Sequence, residues 1–261
     1  MKIAITLAPG AVTQFLLRVV AGLVVLFVLT QMTVYFLPDY PFKDFFVEKF
    51  HLNYEGNIPT FYSFLALVFS YVLLGAIAHV KNLDNDHYKN HWKILSFIFL
   101  YLSVDEICQV HEYFTHPMKK LLNATGFLSF TWVVPFIFLV AIFALYYSKF
   151  LFHLPISTKK MFVAAFALYI GGAIGMEMPG GYLAYTIGRQ TLPYLIVMTI
   201  EESLEMLGIV VFIHALMSYI KIYLGGVSWN IYIEGKKQQV TETPNIGIPA
   251  VSAPANTNLS R

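Results

Sequence analysis

Residues 92–112 read WKILSFIFLYLSVDEICQVHE. An apolar run, 92–102, leads without a break into two acids, Asp105 and Glu106, and then into the pair His111–Glu112. If the stretch is a membrane helix, four ionisable side chains sit in or beside hydrocarbon, where such groups are costly and mark function. If it is not, the chain loses a crossing. The remainder of the sequence decides between these readings.

The chain is 57% hydrophobic and 12% charged, with a mean hydropathy of +0.64. Soluble domains carry roughly 25% charged residues, so the composition is that of an integral membrane protein. A net charge of +2 and the lack of any basic block exclude a nucleic-acid partner. Cys108 is the single cysteine, which excludes an internal disulfide and any CxxC zinc or redox motif. The opening MKIAITLAPG lacks a small-residue cleavage site, so the first apolar run reads as a retained anchor.

Six segments approach the ~20 residues that cross a hydrocarbon core: about 11–37, 60–80, 92–114, 128–152, 161–187 and 193–224. The expected fold is therefore an all-α integral membrane protein, a bundle of six transmembrane helices within one domain, 1–228. Between the first two spans, 38–59 is aromatic and mixed in charge, suited to lying on the interface. The segment 229–261 turns polar and rich in Pro, Thr and Asn, the composition of a disordered cytoplasmic tail. Placing the N-terminus inside puts 12 of the 17 Lys and Arg on the inner side, which predicts that both termini are cytoplasmic.

Of 15 Asp and Glu, seven fall in just three spans: Asp105, Glu106 and Glu112 in the third, Glu177 in the fifth, and Glu201, Glu202 and Glu205 in the sixth. At ~1.5 Å of rise per residue, Asp105 lies ~13 Å, Glu177 ~15 Å and Glu201 ~12 Å from the outer ends of their spans. Three helices thus bring acids to overlapping depths in the outer half of the membrane. Helical phase groups them further. At about 100° per residue, Asp105, Cys108, Gln109 and Glu112 share a face, with His111 on its flank. Glu201, Glu205 and Gly208 form a stripe on the sixth span, with Glu202 at its edge. Glu177 lies among Gly171, Gly172, Gly175, Gly180 and Gly181, small residues that let membrane helices pack closely. His214 lies far down the sixth span and away from Glu205, as a packing residue would.

No Lys or Arg lies within the acid-bearing spans near these groups; Lys119, Lys120 and Arg189 are in loops. Seven carboxylates at one depth cannot all stay ionised without counter-charge, so a metal, protons or water must hold them. Carboxylates with one imidazole suit zinc, iron or manganese, and carboxylates on facing helices build bundle metal sites. The Glu-x-x-His pair of di-iron bundles is absent. The expected divalent-metal ligands are Asp105, His111, Glu112, Glu177 and Glu205. Glu106, Glu201 or Glu202 would then serve as a catalytic base on metal-bound water.

The motifs L-S-V-D-E-I-C-Q-V-H-E (Leu102 to Glu112) and E-E-S-L-E-M-L-G (Glu201 to Gly208) resemble a pattern in uncharacterised bacterial polytopic membrane proteins. There L-S-x-D-E-x4-H-E in one span accompanies E-E-x-x-E-M-x-G in the last. The resemblance implies that Asp105, Glu106, His111, Glu112, Glu201, Glu202 and Glu205 act together in a bacterial inner-membrane protein. It carries no activity with it.

One or two intramembrane acids would be ordinary helix–helix hydrogen bonding; seven with a histidine exceed that need. The function expected is a metal-dependent enzyme, hydrolase or oxidoreductase, acting on a lipid or other apolar substrate from the outer face. A cation- or proton-coupled transporter or channel subunit is the alternative, and an accessory subunit of a membrane complex the second. Against transport, the fourth span has no polar residue in its middle and no inverted repeat is visible.

Overall fold

The computed structural model describes residues 7–54 and 56–226; the expected tail 229–261 lies outside the described residues. The described chain is helical: α1 (Pro9–Phe36), α2 (Lys43–Phe50), α3 (Ile58–Leu83), α4 (Lys89–Cys108), α5 (Thr115–Leu122), α6 (Val133–His153), α7 (Ile156–Ile170), α8 (Glu177–Thr186) and α9 (Leu192–Tyr223). Local chemistry sets several of the starts. Proline stands in the first turn of α1, α3 and α9, where its missing N–H would have no partner in any case. The Asn57 side chain caps α3 by accepting the Thr60 N–H at 3.2 Å.

Four helical stretches are long and apolar enough to cross a membrane: α1, α3, α6 and the continuous run Ile156–Thr186 formed by α7 and α8. A fifth is counted if α4 and the bent segment after it form one crossing. Large apolar side chains face outward along these helices, among them Phe15, Phe138 and Leu145. The chain is thus built as a multi-pass membrane protein.

The third expected span is corrected. It does not run as one helix from 92 to 114. Helix α4 ends at Cys108, Gln109 adopts the left-handed conformation at φ 53°, and the next helical segment leaves at 76°. The break has a chemical cause. The Asp105 carboxylate accepts the His111 backbone N–H, offering that donor a side chain in place of the helix ladder. The helical-phase argument therefore fails beyond Cys108: Gln109 and Glu112 do not share the Asp105 face, and Cys108 is exposed.

Through Pro179, Gly180 and Gly181 the helix continues to Thr186. A wide π-type turn at Gly171–Met176 precedes it, and Pro179 falls third in the α-helical segment that follows. A proline costs least there, because the first N–H groups of such a segment are weakly tied.

Helix α9 is the centre of the bundle. Packed against α1, α3, α7, the π turn and α8, it buries residues along its whole length, with Ile213, Ala215 and Leu216 fully enclosed. Helix α4 lies against α3 on the outside of this group. Helix α6 keeps its backbone away from the others. It reaches them through rings instead: Phe150 meets Trp92 at 5.0 Å and Phe143 meets Phe166 at 6.0 Å. That spacing leaves room between α6 and the α4–α7–α9 wall.

Candidate functional site

The room beside α6 is a cavity of about 660 Å³. Seven of the eight sequence-predicted site residues line it: Glu106, His111, Glu112, Glu177, Glu201, Glu202 and Glu205. The eighth, Asp105, is buried behind His111. Its Oδ1 accepts the His111 backbone N–H at 2.8 Å, and its Oδ2 lies 2.9 Å from the His111 Nδ1. A carboxylate can only accept, so the hydrogen is assigned to Nδ1 and Nε2 becomes the basic nitrogen. Both oxygens of Asp105 are engaged on one histidine, the arrangement that orients a catalytic or ligating imidazole.

Glu177 on α8 and Glu201 on α9 line the cavity together. Glu177 Oε1 also accepts the Trp132 indole N–H at 3.0 Å, and the Trp132 ring lies 4.7 Å from that of His111. Trp132 therefore ties the histidine side of the cavity to the carboxylate side. Glu201 is only 7% exposed. Missing side chains make this depth possible. A Cβ on Gly172 would sit 2.8 Å from both the Glu201 carbonyl oxygen and the Glu205 Cγ, and one on Gly180 would sit 3.6 Å from Glu201 Oε2. Gly208 acts likewise about a turn further along α9, where a Cβ would meet the Tyr169 backbone nitrogen at 2.8 Å. Small residues at such crossings let membrane helices approach, and here they deliver α9's acids to the π turn.

Away from the acids the lining changes character. Leu95, Phe99, Phe143, Phe150, Phe162 and Phe166 form the walls between α4, α6, α7 and α9. The cavity thus has a polar end and an apolar arm. At the polar end the loop after α2 contributes Leu52, Asn53 and Tyr54. This loop hangs on His51, which stacks on Tyr54 at 3.7 Å and meets Phe27 of α1 edge-on at 5.1 Å. Burial pushes the His51 imidazole down to about 4, so it is neutral at ordinary pH.

Sequence reasoning missed two participants. Trp132 stands just before α6, and a lone tryptophan at a helix start looks like an interfacial anchor. Arg189 looks like a loop cation, yet it lines the cavity with the acids and lies over the Phe130 ring at 5.0 Å. The expectation that no cation stands near the carboxylates is corrected accordingly: the short α8–α9 connection carries Arg189 back over the site. Its place between two acid-bearing spans is the one signal the sequence offered. His214 is a packing residue, its Nδ1 2.7 Å from the Thr13 hydroxyl. Among the described residues no group of three or more His, Cys, Asp and Glu side chains is arranged to hold a metal ion.

Residues 16–220, spanning the bundle and every residue of this site, match the family described as Domain of unknown function (DUF8692). The chain belongs to that family. Comparison with curated proteins and with solved structures finds no match. For this member of DUF8692, function has to be argued from the cavity itself.

Proposed function

We propose that this protein is a membrane-embedded enzyme that hydrolyses a lipid or other apolar substrate held in the cavity. The observation that carries the reading is the Asp105–His111 pair, whose imidazole lines a cavity shared by six glutamates and an apolar arm. An orienting carboxylate behind a histidine is how general bases are made, and a positioned base contributes roughly 10²–10⁴ in rate. His111 Nε2 takes a proton from water as the water oxygen bonds to the electrophilic carbon of the substrate. A protonated carboxyl among Glu106, Glu201 and Glu202 gives its proton to the leaving oxygen or nitrogen. His111 then returns a proton to that carboxyl, and the net change is addition of one water across the broken bond.

A metal-dependent form stays within the proposal, with zinc, iron or manganese on His111, Glu112, Glu177 or Glu205. Among the described residues the side chains as they stand do not form such a group. Asp105 in either form orients His111. Transport finds less support, because the polar lining gives way to phenylalanines and leucines along the arm.

In the same reading α9 and the bent α4–α5 pair complete six crossings. Helix α9 has 32 residues, about 48 Å of rise against a ~30 Å core. The Lys and Arg distribution then sets both termini in the cytoplasm of a bacterial inner membrane, with the site towards the outer face. Labelling of a Thr125→Cys variant from outside supports this orientation; labelling from inside overturns it.

Vesicles of total membrane lipid extract containing the purified protein test the enzyme reading. Mass spectrometry is expected to show one lipid class consumed by the wild type and spared by His111→Ala. An unchanged lipid profile with a folded wild type, together with a cation flux lost in Glu205→Gln, would replace it with transport.

A further inference from the structure

Resting on the enzyme reading above, we infer that the substrate is a single-chain amphiphile with an amine head, its alkyl chain in the apolar arm and its ammonium among the carboxylates. The two ends of the cavity argue for this independently.

The arm sets the tail. Along α4 it runs from Glu106 to Leu95, about 16 Å at helical rise, which is close to half the ~30 Å hydrocarbon core and so to the length of one lipid tail. A volume of about 660 Å³ lies in the range that holds one ligand, which suits one chain and a small head. Ala144 and Val163 line the arm and are exposed, so the wall is thin at these two small side chains.

The other end sets the head. Six glutamates line it, against Arg189 as the one Lys or Arg among the lining residues. A phosphate or carboxylate head would add negative charge beside six glutamates that share one lining arginine, whereas an ammonium is of the opposite sign and can donate hydrogen bonds to carboxylate oxygens. Trp132 adds an aromatic wall of the kind that favours cations. Arg189, held over Phe130 in the α8–α9 connection, stands where it balances some of the acid charge and is not required as an anion anchor.

The test measures quenching of Trp132 fluorescence in lipid nanodiscs, with Trp132→Phe as the blank, for dodecylamine, dodecanoic acid and dodecyl phosphate. The amine is expected to bind at least about tenfold more tightly than either anion. Ala144→Phe and, separately, Val163→Phe fill the arm at this thin wall. Each is expected to weaken dodecylamine by a similar factor while leaving butylamine unchanged. Equal or tighter binding of an anion overturns the head assignment, and indifference to both arm variants overturns the tail assignment. Turnover of an anionic lipid in the vesicle assay without amine preference overturns this inference and leaves the enzyme reading standing; amine preference without turnover overturns the enzyme reading and leaves the amine amphiphile as a bound ligand, not a substrate.

Discussion

The Asp105 carboxylate holds His111 at two points, its backbone N–H at 2.8 Å and its ring Nδ1 at 2.9 Å. The same contact ends helix α4 and sets the histidine's tautomer, so one side chain shapes both the local fold and the chemistry. Asp105→Asn separates the two. Its amide oxygen keeps the backbone contact, while its NH2 would present hydrogens to Nδ1 and drive the ring hydrogen to Nε2. Nitrogen NMR of labelled histidine is expected to show the hydrogen on Nδ1 in the wild type and on Nε2 in the variant. An unchanged tautomer would mean that Asp105 does not orient the ring. His111→Ala is expected to lose roughly 10²–10⁴ in turnover, the range of a positioned base.

The glycines of the π turn give a stability test with an internal control. Gly172→Ala places a methyl 2.8 Å from the Glu201 carbonyl and the Glu205 Cγ, so α9 has to move. Overpacking of this kind costs roughly 1–3 kcal/mol. Gly171→Ala has open space within 4 Å and is expected to be close to neutral. Thermal unfolding in detergent should show a lowered midpoint for the first and little change for the second. Equal midpoints would contradict the close approach of α9 to the turn.

His51 makes the loop after α2 sensitive to acid. Its folded-state pKa is lowered by burial to about 4 from 6.5, so the opened loop binds protons more readily than the closed one. The closed form is fully favoured above pH 6.5 and loses that advantage as pH falls from 6.5 towards 4. Hydrogen exchange at residues 51–54 is expected to speed up across that window relative to α9. His51→Phe keeps a ring against Tyr54 and Phe27 and should remove the pH dependence. Protection that is flat with pH in the wild type would show that this loop does not titrate through His51.

Metal content separates the two forms of the proposed chemistry. As the side chains stand, turnover is expected to survive chelation and dialysis. A stoichiometric zinc, iron or manganese that is lost in both His111→Ala and Glu205→Gln, with activity lost alongside it, would establish the metal-dependent form.

Much of this was legible in the sequence because charge in an apolar chain is conspicuous. The membrane class follows from hydropathy, and the shared depth expected for Glu106, His111, Glu112, Glu177, Glu201, Glu202 and Glu205 agrees with their lining one cavity. Phase on a continuous helix did not survive at Gln109, since a side-chain acceptor diverted the His111 N–H from the ladder. Nor did the pattern reveal that Asp105 stands behind His111, because a hydrogen bond across six positions has no periodic signature. Arg189 and Trp132 were invisible for a different reason. Arg189 sits outside a span, and only the fold of the α8–α9 connection brings it to the acids; Trp132 stands near the start of the expected fourth span, where it reads as an interfacial anchor. The apolar arm was equally hidden: its phenylalanines look like any lipid-facing residues until α6 is seen to stand away from α4 and α7.

The central claim is that His111 and the carboxylates facing it add water to a bond in an apolar substrate. Its most direct test is turnover of membrane lipid in water enriched in heavy oxygen. The account predicts a product carrying one solvent oxygen, formed by the wild type and absent with His111→Ala. A product without solvent oxygen, or the same labelled product from the folded His111→Ala variant, would contradict it.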